Sequence, residues 1–259
     1  MRPMFLVVVL TLSFASAGQG LAVTITLGDD IVWAGVDRAG DLFVVLANGD
    51  VQKFDKTGKK IGSHKFKTPP TLLDPLDGVQ SFYYHRQGQI YGNMSYDFTT
   101  IAEHIIDPAF AVSPWLVCPA LRELWILDSA DFSIKKTAQN AATISLETAL
   151  QHLPQKRITD FTFMREYQNY VFLLDITAGV HVFNLLGKFV HTLGEKYMTH
   201  FNFYGEELYY VSGKELIFID LYTSEKRKRP LEATSRFALL NDDRMYSVTT
   251  RTITISDFR

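Results

Sequence analysis

A short run of strand-forming residues, in which an apolar residue precedes an aromatic one, occurs six times along the chain. The six dyads are Leu42-Phe43, Ile90-Tyr91, Leu124-Trp125, Val171-Phe172, Leu208-Tyr209 and Met245-Tyr246. A bulky apolar residue lies eight to eleven positions before each aromatic, and another strand-like run begins seven or eight positions after it. This order predicts a unit of three short strands that is repeated six times.

The spacing of the six aromatic positions distinguishes between two all-β architectures. Successive aromatics are 48, 34, 47, 37 and 37 residues apart. Periods near 40 residues with three to four short strands each are typical of propeller blades. A β-sandwich also contains many short strands, but it does not repeat one aromatic position in six consecutive units. The pattern therefore predicts an all-β fold with six blades.

The two ends of the chain predict how such a ring closes. The alternating run from Val23 to Leu27 has no partner in the first unit, and the last unit ends soon after the strand Ile253–Ile255. Pairing of these two runs would complete the sixth blade and remove an exposed sheet edge. We also expect a short helix after blade three, because residues 145–153 place helix-forming residues at helical spacing behind a capping Ser145.

Three turn sequences carry a resemblance to a known family. They are Asp37-Arg38-Ala39-Gly40-Asp41-Leu42-Phe43-Val44, Phe54-Asp55-Lys56-Thr57-Gly58-Lys59 and Phe183-Asn184-Leu185-Leu186-Gly187-Lys188. With these turns the chain resembles six-bladed β-propellers of the NHL and TolB-like kind. The resemblance implies a binding platform in most cases and a hydrolase, lyase or redox enzyme in a minority. Fold alone does not choose among these activities.

Composition limits the partners and the compartment. The chain has 259 residues, 47% hydrophobic and 13% aromatic, which suits one sheet-rich domain. Its net charge of −2 provides no basic field for nucleic acid. Cys118 is the only cysteine, so no intrachain disulfide can form, and its apolar neighbours predict a small buried side chain.

The N-terminus has the features of a secretory signal peptide. Arg2 is positively charged, residues 5–14 are apolar, and Ala15-Ser16-Ala17 is a small-x-small cleavage site. The alternative is an uncleaved anchor, but the run is shorter than the roughly 20 apolar residues that span a bilayer. We therefore expect a signal peptide over residues 1–17 and a mature propeller domain over residues 18–259 without a membrane span. Export without disulfides favours the bacterial periplasm or an outer-membrane association, with secretion as the alternative.

Candidate ligand-binding residues precede the predicted inner strands. These positions are Asp30, Gln80, Ser113, Asp160, His200 and Arg236. If the strand registers match, Gln80, Asp160, His200 and Arg236 lie around one mouth of the axial channel, where propeller loops converge. Asp160, His200 and Arg236 would together bind a carboxylate or a hydroxylated ligand. The alternative is that all of them are solvated loop residues.

The sequence contains no motif for several common chemistries. There is no Gly-x-Ser-x-Gly elbow and no phosphate-binding loop, and none of the seven histidines is paired at a metal-ligand spacing. We accordingly predict no catalytic residue, no metal and no cofactor.

One basic cluster, Lys226-Arg227-Lys228-Arg229, falls where the outer edge of a blade is expected. It either prevents edge-to-edge sheet pairing or binds an acidic partner or lipid headgroups. The favoured functional hypothesis is a non-enzymatic scaffold in a periplasmic or envelope complex, binding another envelope protein or a glycan. The alternatives are a lyase or hydrolase acting on a sugar or lactone, and a small-molecule carrier, both using the axial pocket. A deep polar channel mouth in which Asp160, His200 and Arg236 converge would favour the enzyme, and an exposed apolar patch on one face without pocket chemistry would favour the scaffold.

Overall fold

The chain folds as a six-bladed β-propeller, as the sequence predicts. A computed structural model describes residues 22–75, 79–120, 123–138, 143–151, 153 and 157–258. These residues form twenty-four strands in six sheets, each of four antiparallel strands. The predicted signal peptide, residues 1–17, lies outside the described residues.

Five blades are formed by consecutive strands, and the sixth takes one strand from the beginning of the chain. Blade one consists of β2 (Ile31–Val36), β3 (Leu42–Leu46), β4 (Asp50–Phe54) and β5 (Lys60–Lys65). Blade two consists of β6 (Leu72–Asp74), β7 (Gln80–His85), β8 (Ile90–Ser95) and β9 (Thr100–Ile105). Blade three consists of β10 (Pro114–Ala120), β11 (Glu123–Asp128), β12 (Ser133–Ala138) and β13 (Ile144–Ala149). Blade four consists of β14 (Phe161–Tyr167), β15 (Tyr170–Asp175), β16 (Gly179–Asn184) and β17 (Phe189–Leu193). Blade five consists of β18 (Asn202–Tyr204), β19 (Glu207–Ser212), β20 (Glu215–Asp220) and β21 (Lys226–Pro230). Blade six consists of β22 (Phe237–Leu240), β23 (Arg244–Val248), β24 (Thr252–Asp257) and β1 (Val23–Thr26).

The first strand of each blade lies at the axis. The first strands of neighbouring blades pack on one another, as β10 does on β6 and β14, and β2 does on β22. The last strands, such as β5, β9 and β21, are largely exposed. Because strands alternate in direction within every blade, all inner strands begin on the same side of the disc, which we call the entry face.

The N-terminal strand closes the ring as expected. β1 pairs with β24 in antiparallel register, with Val23 opposite Ile255 and Ile25 opposite Ile253. Ile25 also packs on the apolar cluster shared by blades one and six. The pairing removes the free edge that β24 would otherwise present.

Blade two differs from the sequence-based assignment. Its inner strand is the short segment Leu72–Asp74, so Gln80 begins the second strand and Ile90 begins the third. The aromatic of blade two that faces the next blade, as Phe43 does, is Tyr84 on β7, whose hydroxyl donates to the carbonyl of Pro114 in blade three at 2.6 Å. With Tyr84 in place of Tyr91, the distances from Phe43 and to Trp125 are both 41 residues, closer to a regular period.

The helix expected after blade three does not form, so that prediction is wrong. Residues Ile144–Ala149 are the outer strand β13, and they pair with β12 from Thr137 to Ser133. Pairing with β12 overrides the helix propensity of this segment, because its side chains alternate between a half-buried and an exposed face. The described residues contain one 3-10 turn, Ile158–Asp160, and no helix that is long and apolar enough to cross a membrane.

The repeated aromatic residues lie buried, and two of them show how they link neighbouring blades. Trp125 of blade three donates its indole N–H to Glu166 Oε2 of blade four at 2.6 Å. Tyr246 of blade six donates its hydroxyl to the carbonyl of Gly40 in blade one, also at 2.6 Å. Each ring thus contributes apolar area together with one hydrogen bond across a blade boundary.

The Gly-Lys hairpins of blades one and four are built alike. Asp55 Oδ1 accepts the backbone N–H groups of Thr57 and Lys59, and Gly58 has φ 87°. Asn184 and Gly187 repeat the arrangement in blade four, with φ 69° at the glycine. The side chain closes the turn, and the glycine takes the left-handed conformation that other residues avoid.

Cys118 is a core residue, as predicted. It is fully buried on β10, opposite Trp125 of β11. Burial raises the pKa of its thiol well above the ordinary value. A protonated, enclosed thiol acts as a small hydrophobic side chain.

Candidate functional site

A cavity of about 420 Å³ opens at the centre of the entry face. Its walls come from blades one, four, five and six and from the segment that leads into blade two. The lining residues are Val32, Trp33, Ala47, Pro69, Pro70, Thr71, Thr162, Phe163, Thr199, His200, Arg236 and Phe237. The volume lies within the range of about 300–1,000 Å³ that is usual for small-molecule sites.

Two β-bulges place side chains in this cavity. The pairing register shifts between Ile31 and Trp33 on β2, and between Phe161 and Phe163 on β14. A bulge lets two consecutive residues face the same side of a strand. Val32 and Trp33 both line the cavity as a result, and so do Thr162 and Phe163.

Trp33 can lie against the channel wall because residue 35 is glycine. A Cβ at Gly35 would be 2.2 Å from Cη2 of the indole, far inside van der Waals contact. The indole therefore occupies the space that any other residue at position 35 would fill. Its Nε1 is buried and has no hydrogen-bond partner among the residues that the structure describes.

Arg236 supplies positive charge at the cavity. Its Nη1 donates to the carbonyl of Ile31 at 2.8 Å, which joins blade six to blade one. The guanidinium group also lies 5.4 Å from the ring centre of Phe237, at cation–π distance. These two contacts hold the group while leaving most of its N–H donors available.

His200 contributes a neutral ring. The ring is half-buried between Phe163 and Phe237, with centroids 5.3 and 5.1 Å away. Its Nε2 is enclosed, and none of the described residues provides it with a hydrogen-bond partner. Burial, and secondarily the charge of Arg165, lower the pKa of His200 to about 3. The imidazole is therefore uncharged at neutral pH.

Beneath the cavity, a buried ion pair crosses the channel. Arg165 lies two residues beyond Phe163 on β14, and its Nη2 is 3.1 Å from Asp74 Oδ1 on the inner strand of blade two. Its Nη1 donates to Asn202 Oδ1 of blade five at 2.8 Å. The guanidinium group of Arg165 thus connects blade four to blades two and five below the cavity.

The low pKa of His200 predicts an acid-sensitive contribution to stability. The unfolded chain takes up a proton at this residue as the pH falls through its ordinary pKa of 6.5, whereas the folded protein does so only near pH 3. The contribution of His200 is therefore complete above pH 6.5 and is lost progressively between pH 6.5 and 3. We expect a His200→Gln variant to lose less unfolding free energy than the wild type between pH 7 and 5, as measured by urea denaturation.

The control for this experiment is His104→Gln, on the outer strand β9 of blade two. Its pH profile should follow the wild type. An NMR titration in which the ring protons of His200 shift with a midpoint near pH 6.5 would contradict the prediction.

The structure brings together two of the four predicted channel-mouth residues. His200 and Arg236 line the cavity. Gln80 does not, since it begins the second strand of its blade instead of the first, and its predicted placement is wrong. Asp160 does precede an inner strand, but its carboxylate Oδ2 accepts the backbone N–H of Arg157 at 3.1 Å, and it is not among the lining residues.

The basic cluster occupies β21, the outer strand of blade five, where an edge was expected. All four side chains have partners within the protein. Lys226 lies 3.6 Å from Glu195, Arg227 pairs with Glu207, Lys228 lies 2.9 Å from Glu215, and Arg229 lies over the ring of Phe258. These contacts neutralise much of the patch, and they agree better with edge protection than with recognition of an acidic partner.

Several residues of the site were not identified from the sequence. Arg165 and Asp74 were missed, although Arg165 and Glu166 follow the largely apolar run Phe161–Met164 within the same inner strand. Charged residues in an inner strand are the signal that could have found Arg165, because charged side chains are rarely buried without a partner. Pro69 and Pro70 were not identified as site residues either.

The cavity combines apolar contact area, from its aromatic and proline walls, with one charged donor, Arg236. Among the described lining residues none is Asp or Glu, and the neutral His200 with its pKa of about 3 is a weak base. General acid–base catalysis depends on groups whose pKa lies near the working pH.

Solved structures of other propellers share the fold. Virginiamycin B lyase from Staphylococcus aureus superposes with a TM-score of 0.59 at 9% identity, covering 92% of this chain and 99% of that chain. A streptogramin B lyase gives 0.58 at 13% identity, covering 89% and 80%. The propeller domain of Cps50 (Swd1) from Myceliophteria thermophila gives 0.59 at 10% identity, covering 93% and 100%. No protein-family model and no curated protein matches the sequence. At these identities the likeness establishes the β-propeller fold alone, the number of six blades follows from the strand order of this chain, and its activity is left open.

Proposed function

We propose that the protein is an exported, non-enzymatic β-propeller that binds a small organic molecule in the axial cavity. The observation that carries this proposal is the cavity itself, about 420 Å³ in volume and walled by Trp33, Phe163 and Phe237. A concave, largely apolar site with a few polar groups is the usual form of a small-molecule site. The proposal takes up the carrier alternative of the sequence analysis.

Support for binding without catalysis comes from the ionisable groups. A hydrolase or lyase needs an acid and a base that exchange protons with the substrate. Asp160, the carboxylate expected beside His200, is bonded to Arg157 instead of lining the cavity. A non-covalent role requires only the shape and donors that the cavity provides.

Support for export comes from the sequence alone. The charged Arg2, the apolar residues 5–14 and the small-x-small site Ala15-Ser16-Ala17 form the three parts of a signal peptide. Export places the cavity where it would meet a ligand of the cell envelope or its surroundings.

Filling the cavity from its wall tests the proposal. In a Gly35→Ala variant the new Cβ displaces the indole of Trp33, which has the cavity as free space to enter. We expect a compound that raises the Tm of the wild type to bind Gly35→Ala at least about tenfold more weakly, a loss of about 1.4 kcal/mol. The measurement is a thermal-shift screen of small organic compounds followed by calorimetric titration of the hits.

Gly28→Ala is the matched control, because nothing lies within 4 Å of a Cβ at that position. It should bind like the wild type. Hits that stabilise Gly35→Ala as much as Gly28→Ala would bind elsewhere, and a screen without hits would count against a small-molecule function.

A scaffold for another envelope protein is the second candidate. One observation favours it: the outer strand β9 exposes Ile101 and Ile105, 52% and 72% accessible, along a sheet edge. Exposed apolar side chains beside an unpaired strand edge are suited to strand addition by a partner. Affinity capture that recovers a partner from envelope extracts, together with a failed ligand screen, would favour this candidate.

A further inference from the structure

We propose that the ligand of the axial cavity is an organic anion, with a carboxylate, phosphate or sulfate group attached to a flat apolar body. The inference rests on the proposed small-molecule function and specifies the chemical class of its ligand. Arg236 and the three aromatic walls carry it.

The first step concerns the charge of the cavity. Arg236 is the only Arg, Lys, Asp or Glu among the described lining residues, and His200 is neutral. The second cation nearby, Arg165, lies deeper and is paired with Asp74 at 3.1 Å. The cavity therefore has an excess of one positive charge, which favours a ligand that carries the opposite charge.

The second step concerns the readiness of Arg236 to bind. One N–H of its guanidinium is engaged by the Ile31 carbonyl, and the group packs near Phe237. A guanidinium has five N–H donors in a fixed plane, so the remaining donors can form two parallel hydrogen bonds to the oxygens of a carboxylate or phosphate. Since its position is already set, little side-chain freedom is lost on binding.

The third step concerns the body of the ligand. Trp33, Phe163 and Phe237 present aromatic surface, and Pro69 and Pro70 extend the apolar wall. Rings of this kind pack favourably on flat apolar groups. Within the described part of the chain, Trp33 Nε1 and His200 Nε2 are enclosed without hydrogen-bond partners, so a small rotation of either ring toward a ligand oxygen would satisfy a group that is now unpaired.

The test compares two probes of equal shape and different charge. Calorimetric titration of the folded protein with 2-naphthoate and 2-naphthamide should give at least about tenfold tighter binding of the anion, as expected for a charge-assisted hydrogen bond. Raising the salt concentration should weaken the naphthoate complex and leave the amide complex unchanged. A third probe, 2-naphthyl phosphate, distinguishes a phosphate ligand from a carboxylate by its relative affinity.

Variants at position 236 assign the effect to this arginine. In Arg236→Gln the preference for naphthoate should disappear, and in Arg236→Lys it should be reduced, because the charge stays while the planar donor group is lost. Arg229→Gln, on the outer strand β21, is the control and should keep the preference. Thermal unfolding of each variant verifies that the ring is intact.

The outcomes separate this inference from the function on which it rests. Equal affinity of the wild type for both probes, or an unchanged preference in a folded Arg236→Gln protein, overturns the organic anion and leaves the cavity as a site for neutral molecules. If neither probe binds at millimolar concentration, a flat organic anion is excluded as the ligand. The proposed small-molecule function is then decided separately, by whether the thermal-shift screen finds compounds that bind the Gly35→Ala variant more weakly than the wild type.

Discussion

The Asp74→Ala variant is expected to lose about 3–5 kcal/mol of unfolding free energy, because it leaves the charge of Arg165 buried without its counter-ion. The side chains of Arg165 and Asp74 are only 7% and 11% accessible. Asn202 remains as an acceptor for one N–H, but a neutral amide oxygen does not balance a buried cation. Equilibrium unfolding in urea measures the loss.

Two further variants show whether the stability loss of Asp74→Ala comes from the unpaired charge of Arg165 or from lost packing. The double variant Asp74→Leu/Arg165→Met should recover most of the lost stability, because it replaces the whole pair with apolar groups of similar size. Asp257→Ala removes the partner of Arg244 in an exposed pair and should cost less than about 1 kcal/mol. A double variant as unstable as Asp74→Ala would show that packing, and not an unpaired charge, causes the loss.

The second large effect is expected at the boundary between blades three and four. Trp125 is fully buried, so Trp125→Ala should lower the unfolding free energy by about 3–5 kcal/mol through lost apolar contact and the cavity left behind. Trp125→Phe keeps most of the ring and loses the hydrogen bond to Glu166, which should cost about 1 kcal/mol beyond the small change in packing.

The exposed Tyr222 provides the control for Trp125. It is 61% accessible, and Tyr222→Ala should change the unfolding free energy by no more than about 0.5 kcal/mol. Both variants are compared by the midpoint and slope of urea unfolding, since an altered slope would indicate loss of two-state behaviour. Equal stability of Trp125→Ala and Tyr222→Ala would contradict the packing role of the repeated aromatic residue.

The blade repeat could be predicted because it depends on local patterns. Alternating apolar residues, a buried aromatic and turn glycines such as Gly58 and Gly187 are readable within a few residues. Blade two was misread because its inner strand, Leu72–Asp74, is only three residues long, too short to show alternation. The outer strand Ile144–Ala149 was read as a helix, since edge pairing with β12 is a tertiary effect that propensity does not report.

The site was less predictable, because side-chain direction at the axis depends on bulges. A bulge at the start of β14 lets both Thr162 and Phe163 face the cavity, and the sequence does not mark this bulge. His200 and Arg236 were identified because each lies one or two residues before an inner strand. Asp160 precedes one too, but it ends the 3-10 turn Ile158–Asp160, and its carboxylate accepts the backbone N–H of Arg157.

The pairing of β1 with β24 has a consequence for the order in which the protein folds. Val23 and Ile255 are 232 positions apart in the sequence, so this contact has nearly the largest separation that the chain allows. Stacking of the earlier blades brings the two strands together. The entropic cost of closing so long a loop is tolerable, because it rises only with the logarithm of the loop length. We therefore expect blade six to be completed last. Until then β24 offers its edge equally to the β1 strand of another copy, and closure within one molecule competes with strand exchange between two.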